Sequence, residues 1–89
     1  MLKEQETKDE KAHENAFHIF VEFSKNDHRK VEFDTNQVSG RQIKEKAGAP
    51  ANADLGRRVE GQIVYVPDDQ VIEIKNGDHF VVLPAGSIS

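Results

Sequence analysis

Val38-Ser39-Gly40-Arg41-Gln42-Ile43 is the stretch on which the fold turns. The Ser39 hydroxyl can accept from the free N–H groups at the start of a helix, and the Gln42 amide, three residues on, can reach back to complete a capping box. Val38 and Ile43 flank the pair as a hydrophobic staple. The spacing predicts a helix over about residues 40–47, burying Ile43 and Ala47 at an i,i+4 interval and leaving Arg41, Lys44, Glu45 and Lys46 in water. Gly48 ends it and Pro50 stands just beyond. Gly40 in the first turn weakens so short a helix only slightly, because caps and packing dominate its stability.

Upstream, Phe17, Ile19, Val21 and Phe23 alternate with His18, Phe20 and Glu22, the period-two pattern of a half-buried strand. Residues 24–28 form a polar turn, and residues 29–34 alternate again with Val31 and Phe33 inward, giving a hairpin. Downstream, residues 49–61 show little periodicity and read as a loop lying over a sheet, with Leu55 plugging the core. Residues 62–66 read as a strand ended by a turn at Pro67-Asp68-Asp69, and Val71, Ile72 and Ile74 make another. Asn76-Gly77 suits a type I′ turn. Residues 78–83 are apolar on both faces, as in a strand buried in the middle of a sheet.

A hairpin, one helix across one face, then two or three strands ending in a central one is the order of an α+β β-grasp domain. The helix returns the chain over the sheet, and the last strand pairs in parallel beside the first by a right-handed crossover. The reading is therefore a mixed four- to five-stranded sheet with one helix packed on one face. It occupies residues 17–86, behind an acidic arm at 1–16 and before a tail at 87–89. Residues 1–16 hold five acids against three bases with little apolar material, and read as disordered.

Composition narrows the chemistry. An 89-residue chain that is 36% hydrophobic has room for one core. Without cysteine it has no disulfide, thiolate nucleophile or cysteine metal site, which fits a reducing cytoplasm. No apolar run approaches the ~20 residues of a membrane span. A net charge of −4, with basic residues dense only at Arg29-Lys30 and Arg57-Arg58, argues against nucleic acid as a partner. His13, His18, His28 and His79 lack ligand spacing, so no metal or other cofactor is expected. Ser24, Ser39, Ser87 and Ser89 lack His–Asp partners, so no catalytic residue is nominated and the chain reads as a non-enzyme.

From Phe17 to Gly86 the chain resembles the ubiquitin-like superfamily, and within it the bacterial multiubiquitin type encoded beside ubiquitin-like activating and conjugating enzymes. The residues carrying the resemblance are the apolar first hairpin, Val38-Ser39-Gly40-Arg41-Gln42-Ile43, Ala47-Gly48-Ala49-Pro50, Leu55, and Gly77-Asp78-His79-Phe80 before an apolar strand. The resemblance implies a protein modifier with a C-terminal glycine slim enough for the channel of an activating enzyme. Here Pro84-Ala85-Gly86 is followed by Ser87-Ile88-Ser89, with one glycine rather than two and with Pro84 stiffening the tail. The expectation is a precursor that a peptidase cuts after Gly86. A separate enzyme then activates the carboxylate with ATP, and a conjugating enzyme passes it to a target in bacterial stress or antiviral defence. In such folds the exposed sheet face recognises partners, and Phe20 with Val64 or Val81 are its candidate residues. The alternative is a β-grasp binding module that is never conjugated and acts through that face. A sulfur carrier is disfavoured, since that class ends at a free double glycine.

Overall fold

The structure, a computed structural model, describes residues 16–87. The acidic arm, apart from Ala16, and residues 88–89 of the tail lie outside the described residues. The elements in chain order are β1 (Phe17–Ser24), β2 (Asp27–Phe33), β3 (Gln37–Ser39), α1 (Gly40–Ala47), β4 (Asp54–Val59), β5 (Gln62–Tyr65), β6 (Val71–Glu73) and β7 (Asp78–Leu83). The main sheet runs β2-β1-β7-β4-β5, and β3 and β6 form a separate two-stranded ribbon. β7 pairs in parallel with β1 and antiparallel with β4, which makes it the central strand its two-faced apolar sequence calls for. This is the β-grasp arrangement.

Helix α1 forms as the capping pattern dictates. The Gln42 backbone N–H donates to Ser39 Oγ at 3.2 Å, and the Ser39 N–H donates to Gln42 Oε1 at 2.8 Å. Gly48 ends the helix in the left-handed conformation at φ 81°, its N–H bonded to Glu45 O. One inner face carries the core: Ile19 and Val21 of β1, Val31 and Phe33 of β2, Leu55 of β4, and Phe80 and Val82 of β7 close against Val38, Ile43 and Ala47.

Several sequence expectations are revised. The stretch 49–61 is not a loop throughout: residues 54–59 form β4, an interior strand of the sheet. Its tight hairpin turn to β5 is Glu60-Gly61, both with positive φ (51° and 82°), as a type I′ turn requires. At Asn76-Gly77 only Gly77 has positive φ, at 89°, and the Asp78 N–H closes the turn on Lys75 O. That turn joins two different sheets, because β6 pairs with β3 and not with β7.

Lys44 does not face water. It is 3% exposed, and its Nζ donates to Ala51 O and Ala53 O, each at 2.8 Å, and meets Asp68 Oδ1 at 2.7 Å. The three donors of the ammonium thus find three acceptors, which is what burying it demands. Gly40 is required by space. A Cβ there would strike the backbone carbonyl of Pro67, so the helix start and the chain leaving β5 touch backbone to backbone.

Candidate functional site

Among the described residues no helix or second sheet covers the face of the main sheet opposite α1. Strand alternation and register assign it His28, Lys30 and Glu32 of β2, His18, Phe20 and Glu22 of β1, His79 and Val81 of β7, Arg58 of β4, and Ile63 and Tyr65 of β5. Phe20 stands at its middle. Its ring stacks on His79 at 5.3 Å and 25°, and meets His18 edge-on at 5.6 Å and 77°. The parallel register explains this cluster, because it sets Phe20 directly beside His79. Phe20 is half-buried between the two imidazoles, so what the face presents is the edge of an aromatic row rather than a free phenyl.

The other two candidates fall differently. Val81 belongs to this face but is only 5% exposed and lies outside the main core cluster. Glu22 on β1 and Arg58 on β4 form an ion pair at 3.1 Å that must cross β7, and Val81 is the β7 residue in register with Glu22. The ion pair therefore spans the strand that carries Val81. Val64 pairs with Arg57, one step out of phase with Tyr65 and Ile63, and so stands on the opposite face from Phe20. The apolar positions that β5 contributes to the open face are Ile63 and Tyr65, which the alternation in Gln62-Ile63-Val64-Tyr65 could reveal only once the register was known.

Of the two basic pairs, Arg57 is no surface solubiliser. Its Nη2 meets Asp78 Oδ2 at 2.6 Å and donates to Glu73 O at 2.8 Å, which ties β4 to the β6–β7 connection on the inner side. Arg29 donates from Nη1 to Ala47 O at the end of α1, and its guanidinium lies 3.9 Å over the Phe23 ring. Sequence reading missed both roles, since Ala47 lies 18 residues from Arg29 and Asp78 lies 21 residues from Arg57. His18 and His79 do come together through Phe20, but among the described residues no three His, Asp or Glu side chains gather as a cation site.

Gly86 lies beyond the end of β7. The Ser87 N–H donates to Pro84 O at 3.1 Å, closing a turn over residues 84–87 in which Gly86 has φ 84°. Among the described residues nothing stands within 4 Å of where a Cβ on Gly86 would be. Gly86 is thus an exposed residue in a turn, three residues after the central strand. Among the described residues no helix is long and apolar enough to cross a membrane. Comparison with known protein families, curated proteins and solved structures found no match to this chain.

Proposed function

We propose that this chain is a ubiquitin-like protein modifier of the bacterial multiubiquitin type, matured at Gly86 and working in the cytoplasm. The observation that carries the reading is the exposed turn at residues 84–87, which follows the central strand of a β-grasp sheet and in which no described residue stands within 4 Å of a Cβ position on Gly86. A peptidase hydrolyses the Gly86–Ser87 peptide bond, consuming one water and leaving a Gly86 carboxylate and a new amino terminus on Ser87. An activating enzyme joins that carboxylate to the α-phosphate of ATP and releases pyrophosphate. An enzyme thiol then displaces AMP to give a thioester, and a target amine displaces the thiol to form an amide. Glycine suits each step because no side chain obstructs attack on its carbonyl carbon. The nucleotide and the nucleophilic thiol belong to the partner enzymes, and the chain contributes the carboxylate and the docking surface.

A second reading is favoured by the shortness of the tail. Pro84, Ala85 and Gly86 would span roughly 10 Å if fully extended, and here they are folded into a turn. Under that reading the protein is a binding module that acts through the face bearing Phe20 and is never conjugated. Intact-mass measurement after incubation in a lysate of the source cells with ATP separates the two. The modifier reading expects loss of the residues after Gly86, or adducts that are absent from Gly86→Glu. An unchanged mass in both proteins overturns it in favour of the binding module.

A further inference from the structure

The two outermost strands of the main sheet are β2 and β5. Four of the five large hydrophobic residues exposed on the described surface, Val59, Ile63, Val64 and Tyr65, lie on the hairpin that ends in β5. β5 itself reads Gln62-Ile63-Val64-Tyr65 and carries no charge and no proline. An uncharged, apolar strand at a sheet edge is a template for another strand, and natural edges are normally blunted against it.

The hydrogen-bond phase of β5 fixes what it offers. The Val66 N–H donates to Leu55 O, and antiparallel alternation puts Val64 and Gln62 in the same phase, bonded to β4. The N–H and C=O groups of Ile63 and Tyr65 therefore point away from the sheet. An antiparallel copy centred on Val64 satisfies all four of these groups on each chain, because Ile63 of one copy exchanges both bonds with Tyr65 of the other. The same register sets Ile63 beside Tyr65 on one face, a favourable β-branched–aromatic pair, and Val64 beside Val64 on the other. Pairing stops where Pro67 lacks an N–H on one side and the Glu60-Gly61 turn begins on the other.

We propose that β5 is a self-association edge, at which two copies of this chain pair antiparallel about a two-fold axis through Val64 and join their sheets into one. The contact is isologous, so it closes at a dimer. One short strand buries less than the ~1,200 Å² of a standard interface, so the dimer is weak, with a Kd on the order of 10⁻⁴ M. Each copy carries a formal charge of −4, so added salt strengthens the dimer instead of dissolving it. This pairing leaves Gly86 and the ring of Phe20 outside the contact and does not depend on the modifier reading.

Two measurements on the full chain test the proposal. Sedimentation velocity from about 10 µM to about 1 mM should show a monomer–dimer equilibrium in the unaltered chain, and V64K, at a position 49% exposed, should weaken it at least tenfold while the circular dichroism stays native. The chain has no cysteine, so V64C introduces a single thiol at the axis, where the facing Cα atoms of a non-hydrogen-bonded pair lie within disulfide reach. With oxidised glutathione as oxidant, V64C should form a disulfide-linked dimer much faster than N26C, whose thiol would sit in the exposed β1–β2 turn. A single monomeric species at about 1 mM overturns self-pairing and leaves the edge to a strand from a different chain. Association that V64K does not change, or equal cross-linking of V64C and N26C, places the contact elsewhere and overturns it as well.

Discussion

The two edges of the main sheet are built on opposite rules. β2, seven residues long, carries Arg29, Lys30 and Glu32. Arg29 pairs with Asp27 at 3.2 Å and Lys30 with Glu32 at 3.6 Å, and α1 packs along this side with Ala47 O accepting from Arg29. β5, four residues long, has only uncharged side chains and is exposed at every position. A strand about to join another must shed hydration, and a charged side chain resists that far more than valine or tyrosine does. The difference teaches that edge protection here comes from side-chain charge and helix cover together, and that among the described residues β5 has neither. What holds β5 in place lies behind it: Gly40 at the helix start abuts Pro67, and Lys44 grips the segments before β4 and after β5.

The largest way to break this contrast is Gly40→Ala. The added methyl meets the Pro67 backbone, which cannot swing aside as a side chain can, so the helix start and the exit of β5 must part. We expect a loss of about 3 kcal/mol, read by chemical denaturation, with hydrogen exchange accelerating first at residues 62–70. Lys44→Met comes next. It keeps most of the packing volume but leaves Ala51 O and Ala53 O without their donor, which should cost about 2 kcal/mol by the same measurement and loosen the 49–53 segment. The smallest effect on stability is expected from the double substitution Lys30→Thr with Glu32→Thr. It removes one exposed ion pair, worth at most about 0.5 kcal/mol, and strips two of the charges from the β2 edge. If charge guards that edge, light scattering should show association through β2 that the parent lacks. An unchanged scattering profile would assign the protection to the helix.

The legibility of the sequence follows the range of the interactions. Ser39 and Gln42, Val38 and Ile43, and Gly48 act within a few residues of one another, and each does in the structure what its spacing implies. The alternation in β1 and the two-faced apolar β7 were likewise readable, because burial writes directly onto side-chain polarity. β4 was not. Its six residues include Gly56, Arg57 and Arg58, and Arg57 can occupy an inward position only because Asp78 and Glu73 O, remote in sequence, receive its guanidinium. Lys44 hid for the same reason. A lysine on a short helix reads as solvated until the loop that wraps it is known. On the open face the prominence of Phe20 was visible, but the burial of Val81 and the phase of Val64 depend on register, which no local pattern encodes here.

The parallel pairing of β1 with β7, which joins Ile19 to Asp78 and Val21 to Phe80, also sets a timetable. During synthesis the first strand leaves the ribosome early and waits for a partner that is among the last described residues to emerge. In the interval the β1–β2 and β4–β5 hairpins can close on microsecond timescales, and the first can pack on α1, yet the two cannot join into one sheet until β7 slides between them. The loop closed by that last step runs almost the full length of the domain, so the rate of folding is governed by chain closure rather than by helix or turn formation. A nascent chain stalled before Leu83 would hold two half-sheets apart, each with two open edges.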